Sequence, residues 1–157
     1  MLPRSYYRRC LPHMQWEGKK HFVTFGTLHR TRLSPQLRNI VFECCLHDHE
    51  RTIDLDVAVV MPDHVHMMFT PLTDMERMQV RALPDILCAI KRVSAHRINK
   101  VLGRRGPVWR EESFDHVIRS GDDADDKFNY IYANPVRAGL TDEPEKYPWL
   151  WMNPRYR

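Results

Sequence analysis

Two apolar segments joined by a tight turn place the strongest constraint on how this chain of 157 residues folds. The segments TIDLDVAVVM (52–61) and HVHMMFT (64–70) have the composition of β-strands, and Pro62 and Asp63 between them favour a turn. A connection this short joins antiparallel neighbours, so the two segments predict a β-hairpin. The continuous apolar end of the first segment indicates a central position in the sheet.

The remaining segments place this hairpin in an α+β fold. Two further strands and three helices are predicted, namely strands at 20–30 and 107–120 and helices at 34–50, 83–103 and 122–140. The order strand, helix, strand, strand, helix, strand, helix is that of a ferredoxin-like (split βαβ) arrangement with one further helix. It predicts an antiparallel sheet with two helices on one face and a C-terminal helix that carries Tyr130. The other face of the sheet is then available for a site.

Length and composition favour a single domain over 1–157, with a core of about 20–150, an irregular basic N-terminus and an aromatic, basic tail. Hydrophobic residues make up 43% of the chain, and no run reaches the roughly eighteen apolar residues of a membrane helix. No apolar stretch typical of a secretory signal follows the basic N-terminus. We therefore expect a cytoplasmic, nucleoid-associated protein with no membrane partner. None of the 4 cysteines forms a C-x-x-C pair, which argues against a zinc knuckle or redox motif.

The formal net charge of +4 permits nucleic-acid binding without requiring it. Basic residues concentrate at 90–106 and acidic residues at 120–127, so one side of the fold is expected to be much more positive than the whole. The candidate phosphate contacts are Arg30, Lys91, Arg92, Arg97, Lys100, Arg104, Arg105 and Arg110. Trp109, Trp149 and Trp151 are candidates for stacking on unpaired bases. The bland alternatives are a solvated helix face and core tryptophans.

Two histidines of the third predicted strand, His64 and His66, lie two positions apart and therefore share a face. The apolar Val65, Met67 and Phe69 alternate with them and suit the helix-covered face, so the histidines are expected on the other one. Two imidazoles at this separation can bind one cation, but a catalytic metal needs at least one more ligand and open positions. Taken alone, a His-x-His pair in a strand is more often structural.

The last predicted helix supplies a candidate nucleophile and a candidate third ligand. Tyr130 and Asn134 are four positions apart and share a helix face. Asn134 offers an oxygen ligand to Mg²⁺ or Mn²⁺. A phenol with a pKa of about 10 is a poor nucleophile at neutral pH unless a metal polarises the phosphodiester it attacks. The plain alternative is a core tyrosine followed by a helix stop at Pro135.

These two regions together, MPDHVHMMF and YIYANPVRAGL, resemble the single-tyrosine transposases of the HUH superfamily, most closely their REP-associated branch. HUH denotes histidine, bulky hydrophobe, histidine, here His64-Val65-His66. The segments FVTFGTLHR, IKRVSAHRIN, GPVWREESFDHVIRS and YPW also occur in the order of that branch, so the resemblance spans roughly residues 20–150. The tail departs from the pattern, because the usual YPWSSY is replaced by YPWLWMN.

The resemblance implies a metal-dependent DNA strand-transfer enzyme. His64 and His66 would bind Mg²⁺ or Mn²⁺, and Tyr130 would attack single-stranded or hairpin DNA to give a 5′-phosphotyrosine and a free 3′-OH. Asn134 stands where many relatives carry a glutamine, and its shorter side chain would ligate directly or through water. Relatives act as homodimers or as monomers. The alternatives are a catalytically inactive DNA-hairpin-binding protein, a hydrolase that uses water, and a domain with no role in nucleic-acid binding.

Overall fold

The structure, a computed structural model, describes residues 19–74 and 78–157, so the predicted irregular N-terminus lies outside the described residues. The chain forms seven strands and three α-helices over this range. In order they are β1 (His21–Thr27), α1 (Pro35–His47), β2 (Ile53–Val60), β3 (His64–Pro71), β4 (Thr73–Asp74), β5 (Gln79–Val80), α2 (Leu83–Leu102), β6 (Trp109–Val117), α3 (Gly121–Arg137) and β7 (Leu150–Met152). The predicted α+β class with an antiparallel sheet is confirmed.

Five strands form one antiparallel sheet in the order β6-β1-β3-β2-β7, and β4 pairs with β5 separately. The predicted hairpin is therefore β2 and β3, and the histidine-bearing strand β3 is the middle strand of the sheet. Hydrogen bonds on both edges fix the register of β3, which determines which side chains face each other. The short strand β7 was not predicted, because three residues carry too little alternation to distinguish a strand from a loop.

Strand β2 contains a β-bulge at Asp56. Leu55 pairs with Phe69 and Val57 pairs with Met68, so Asp56 has no opposite residue in β3. The side chain of Asp56 is fully buried and accepts hydrogen bonds from the tail. Its partners are the Arg155 guanidinium, the Tyr156 hydroxyl at 2.6 Å and the Lys20 ammonium at 2.9 Å. The bulge therefore attaches the C-terminal segment to the edge of the sheet.

The two faces of the sheet carry separate apolar clusters. Helices α1 and α2 cover the face that holds Val65, Met67 and Phe69, as the alternation predicted. Met68 lies on the opposite face with Ile131 of α3. The prediction that this second face is uncovered was wrong, because the apolar side of α3 packs against it.

Local signals account for the helix boundaries. Ser34 accepts a hydrogen bond from the Leu37 amide at 3.3 Å and begins α1, and Gly103, with φ of 63°, ends α2. Ser120 begins α3 in the same way as Ser34 begins α1. Pro135 lies inside α3, which continues only to Arg137. Within the described ranges, no helix combines the length and apolar character needed to cross a membrane.

Candidate active site

The imidazoles of His64 and His66 lie side by side at the start of β3. Their ring centroids are 4.7 Å apart and their planes are nearly perpendicular, at 78°. His66 is buried, with 4% of its surface exposed, whereas 29% of the His64 side chain is exposed. The pair therefore has one ring inside the protein and one at its surface, which leaves the site open on the His64 side.

Each imidazole is oriented by a hydrogen bond at its Nδ1 atom. Nδ1 of His64 lies 2.6 Å from the Asp63 carboxylate, and Nδ1 of His66 lies 2.6 Å from the Thr24 hydroxyl. Thr24 stands opposite His66 because β1 and β3 pair in that register. Hydrogen bonds at Nδ1 leave the Nε2 lone pairs as the ligating positions, which is the usual arrangement of metal-bound histidines.

The Nε2 atom of His66 is buried and has no hydrogen-bond partner among the residues that the structure describes. A buried nitrogen of this kind is uncommon and calls for a ligand or a functional explanation. Burial, together with the positive charges of His64 and Arg137, lowers the pKa of His66 to about 3. The ring is therefore neutral near pH 7, which is the form that binds a metal.

Asp63 is held in its ionised form. Partial burial opposes ionisation, but the hydrogen bond from His64 and the nearby charges of His64 and Arg30 outweigh it, so the pKa of the carboxyl is lowered. The Arg30 guanidinium lies 3.5 Å from the Asp63 carboxylate. An ionised Asp63 accepts the proton of Nδ1, which leaves Nε2 of His64 as the nitrogen that can bind a metal.

Helix α3 places Tyr130 beside this pair. The ring centroid of Tyr130 is 5.4 Å from that of His66 and 6.0 Å from that of Phe22, both in edge-to-face arrangements. Tyr130 is 42% exposed, so part of this residue lies at the protein surface. The two histidines and the tyrosine predicted from separate parts of the sequence therefore meet at one place.

Asn134 lies one helical turn after Tyr130 and is buried, at 8% exposure. In the described part of the chain, no group of three or more His, Cys, Asp and Glu side chains could hold a metal. A third protein ligand therefore has to be of another type, and Asn134 on the same helix face is the predicted one. The donor set of two imidazole nitrogens and one amide oxygen suits Mg²⁺ or Mn²⁺ less strongly than a carboxylate-rich set would.

A cavity of about 750 Å³ opens next to His64. Arg30, from the turn after β1, and Arg110, from the edge strand β6, both line it, together with the exposed Phe114. Two of the predicted phosphate-binding residues thus lie at the mouth of the histidine site. The cavity is large enough for several atoms of a nucleic-acid backbone.

The other predicted phosphate-binding residues belong to α2 or its C-terminal loop, on the opposite face of the sheet. They are Lys91, Arg92, Arg97, Lys100, Arg104 and Arg105. Lys91 donates to the carbonyls of Arg110 and Glu111, and Arg97 pairs with Glu43 at 2.7 Å. At the sheet edge, Lys91, Arg92 and Arg110 line a second cavity, and Arg110 also lines the cavity next to His64.

Trp109 does not support the predicted stacking role. It is buried at 7% exposure, packs edge-to-face on Phe25 at 5.0 Å, and donates its indole N–H to Ser94 at 2.9 Å. Its aromatic faces are therefore occupied by the core between β6 and α2. Trp149 lies under the Arg38 guanidinium, and Trp151 packs on His49 at 4.9 Å, so both contribute to attachment of the tail.

Three residues of the site were not identified from the sequence: Asp63, Thr24 and Arg137. Asp63 directly precedes His64 but was interpreted only as a turn residue. Thr24 could have been found only from the pairing of β1 with β3, which one sequence does not give. Arg137 lies seven positions after Tyr130 on the same helix, a spacing of two turns that was a usable signal.

No protein family profile matches this sequence. A Haemophilus influenzae protein named as a REP-associated tyrosine transposase is 24% identical over 160 residues, which cover 92% of this chain and 84% of that protein. The predicted resemblance to REP-associated tyrosine transposases is thereby confirmed.

One solved structure shares the fold of this chain. The structure of a REP-associated tyrosine transposase bound to a REP hairpin aligns with a TM-score of 0.62 and 20% identity, covering 85% of this chain and 76% of that chain. A Deinococcus radiodurans R1 protein described as a transposase aligns with a TM-score of 0.47 and 19% identity, covering 71% of this chain and 88% of that chain. The first of these likenesses establishes the shared mixed α/β architecture.

Proposed function

We propose that this chain, a relative of the REP-associated tyrosine transposases, cleaves and rejoins single-stranded DNA at hairpin or palindromic sequences. The observation that carries the proposal is the position of the Tyr130 ring against His66, whose buried Nε2 atom has no partner within the described chain. A nucleophile beside a neutral imidazole with a free lone pair suits metal-assisted phosphoryl transfer, in which the metal polarises the phosphodiester that the nucleophile attacks.

In the proposed reaction, the Tyr130 hydroxyl oxygen attacks the phosphorus of a DNA phosphodiester. The bond between this oxygen and phosphorus forms while the bond from phosphorus to the 3′-oxygen breaks. The phenolic proton is lost to solvent, and the 3′-oxygen takes up a proton to become a free hydroxyl. The product is a 5′-phosphotyrosine, and the reverse reaction by the 3′-hydroxyl rejoins the strand without an external energy source.

Two imidazole nitrogens and one amide oxygen are donor types that divalent cations accept. His64, His66 and Asn134 would hold Mg²⁺ or Mn²⁺, and Asp63 and Thr24 would keep the Nε2 atoms aimed at it. When bound, the ion would act as a Lewis acid that polarises the phosphate. It would thereby reduce the negative charge on the phosphate that repels the attacking Tyr130 oxygen. Burial keeps His66 unprotonated, so its lone pair is available at neutral pH.

The surface around the site fits a nucleic-acid backbone. Arg30 and Arg110 line the cavity next to His64 and are placed to contact phosphates of the strand that enters the site. Lys91 and Arg92 of α2 line the cavity at the β6 edge together with Arg110, and in this proposal they contact a folded hairpin. We propose that the unpaired strand lies against the histidine face and that the hairpin crosses the edge strand.

A covalent-adduct assay tests this proposal. A hairpin oligonucleotide with single-stranded flanks is incubated with the protein and Mn²⁺, and adducts are resolved by denaturing electrophoresis. We expect an adduct with the parent protein and none with Tyr130→Phe. Tyr132→Phe is the matched control, because the Tyr132 hydroxyl donates to Glu145 and lies on another side of the same helix.

Two results that differ from this expectation would each indicate a different function. Tight hairpin binding without any adduct would make the protein a binding protein that lacks the chemistry. Cleavage that survives Tyr130→Phe would indicate a hydrolase in which water is the nucleophile.

A further inference from the structure

Arg137, in the last turn of α3, packs directly on Tyr130. Its guanidinium carbon lies 4.3 Å from the centre of the Tyr130 ring, and one of its terminal nitrogens donates to the Tyr130 carbonyl at 3.2 Å. The side chain thus folds back over two helical turns to cover the residue proposed as the nucleophile. A guanidinium stacked on an aromatic ring in this way limits rotation of the ring and also fixes the orientation of the guanidinium plane.

Among the residues that the structure describes, most of the N–H donors of Arg137 have no acceptor. A guanidinium has five N–H donors in a planar fork, and the hydrogen bond to the Tyr130 carbonyl uses one of them. Arg137 is exposed, and no carboxylate in residues 19–74 and 78–157 forms an ion pair with it. The cation therefore lies beside the Tyr130 phenol, whose ring centre is 5.4 Å from that of His66.

We propose that Arg137 binds a non-bridging oxygen of the phosphate that Tyr130 attacks, while its guanidinium plane holds the Tyr130 ring in position. This inference rests on the proposed function and adds a residue to it. Guanidinium forks match the spacing of phosphate oxygens, and a charged donor aimed at a reacting phosphate stabilises the charge that develops there. The simpler alternative is that Arg137 only binds carbonyls at the C-terminal end of α3.

Binding measurements without cleavage give the first test. In a Tyr130→Phe background the DNA stays intact, and hairpin affinity is measured as a function of salt concentration. Arg137→Gln removes the charge at similar size and is expected to weaken binding and to lower the salt slope by about 0.7, the value of one single-strand phosphate contact. Arg51→Gln is the control, because Arg51 is exposed in the turn before β2, at the end of the sheet away from His64.

Phosphorothioate substitution gives the second test. Sulfur replaces each non-bridging oxygen of the scissile phosphate in turn, and adduct formation is measured for both diastereomers in Mg²⁺ and in Mn²⁺. With the parent protein, we expect one diastereomer to be slow in both metals, because its sulfur faces Arg137. Arg137→Gln is expected to slow the all-oxygen substrate by about 10²-fold and to abolish this particular sulfur effect. Arg137→Lys, which keeps the charge without the fork, is expected to restore part of the rate.

The outcomes separate this inference from the proposed function. If the parent protein forms an adduct and Arg137→Gln retains its rate, salt slope and sulfur effect, the phosphate contact is wrong and the function stands. If no adduct forms but Arg137→Gln still lowers the salt slope, Arg137 contacts a DNA phosphate, but both the cleavage proposal and the assignment of that phosphate as the attacked one fail. If Arg137→Gln slows adduct formation with the sulfur effect and salt slope unchanged, Arg137 acts only on the helix and the inference is overturned. Absence of any hairpin binding by the parent protein would overturn both.

Discussion

Thr24 and Asp63 decide which nitrogen of each histidine faces the site. Each residue occupies one Nδ1 atom at 2.6 Å, so both rings present Nε2. The two partners differ in strength, because Asp63 is ionised and Thr24 is neutral. His64 is therefore expected to be the stronger metal ligand. His66 is expected to be the more rigid ligand, because its ring is buried against Phe22 and Tyr130.

Thr24→Val is expected to weaken Mn²⁺ binding by about 10–100-fold, the usual effect of removing an orienting partner of a ligand. Valine has nearly the same shape but cannot hydrogen bond to Nδ1 of His66. The measurement is a calorimetric titration of the protein with Mn²⁺ in the absence of DNA. Thr24→Ser keeps the hydroxyl and is expected to bind normally, so a loss of affinity in both variants would contradict the orienting role.

His21 makes the stability of the fold sensitive to acid. It is buried at 1% exposure, and burial lowers its pKa to about 4, below the value of about 6.5 expected in the unfolded chain. The unfolded state therefore binds the proton more readily, and stability falls as the pH decreases from about 6.5 towards 4. The expected contribution is about 1.4 kcal/mol per pH unit. His66 adds to the same trend.

His21→Phe is expected to make this pH dependence shallower. The free energy of unfolding is measured by urea denaturation at several pH values from 7.5 to 4.5, a range chosen to span the transition. His96→Gln, on the exposed face of α2, controls for the loss of a histidine as such. An unchanged slope in His21→Phe would show that the proton uptake lies elsewhere.

At the scale of secondary-structure elements, the site depends on one strand and one helix. Periodicity predicted both the face of β3 that carries His64 and His66 and the face of α3 that carries Tyr130 and Asn134. That the two faces meet depends on α3 crossing the second face of the sheet, which local sequence does not determine. The family resemblance, rather than periodicity, indicated that they come together.

Tertiary packing also explains what the sequence did not reveal about Trp109. A tryptophan between basic residues is compatible with an exposed stacking surface or with a core position, and its neighbours in sequence do not distinguish the two. In the fold, β6 lies at the sheet edge and α2 crosses behind it, so the Trp109 indole meets Ser94 and Phe25. Its partners are 15 residues or more away in sequence.

Trp109→Phe is expected to lower the free energy of unfolding by about 1–2 kcal/mol, because it removes a buried hydrogen bond and some apolar contact. Since the ring lies in the core between β6 and α2, hairpin affinity is expected to stay at the parental value. Urea denaturation and a binding titration on the same preparations measure the two properties. Weaker DNA binding with normal stability would restore the stacking role.

At the scale of the whole molecule, positive charge lies on two sides of the sheet and only part of it borders the site. Arg30 and Arg110 line the cavity beside His64, whereas Arg97 lies on the helix-covered side and is paired with Glu43. Arg30 and Arg97 each lie near a carboxylate, Asp63 at 3.5 Å and Glu43 at 2.7 Å, so ion pairing does not distinguish them, whereas their distance from the histidine site does. Position relative to the sheet therefore separates arginines that the sequence groups together.

Arg30→Gln and Arg110→Gln are each expected to weaken binding of a hairpin with single-stranded flanks and to lower its salt slope by about 0.7–0.9. Arg97→Gln removes the same charge and is expected to have a smaller effect. The measurement is the hairpin dissociation constant over a range of salt concentrations. A larger effect at Arg97 than at the other two positions would place the DNA on the helix side of the sheet.

Because of the β-bulge at Asp56, a change of one residue could remove the attachment of the tail without changing the register of the sheet. Because Asp56 has no opposite residue in β3, its deletion would leave Leu55 opposite Phe69 and Val57 opposite Met68, with every side chain on its present face. What such a deletion would remove is the carboxylate that holds Lys20, Arg155 and Tyr156. One inserted residue thus anchors the end of the chain, and its deletion would leave the register between β2 and β3 unchanged.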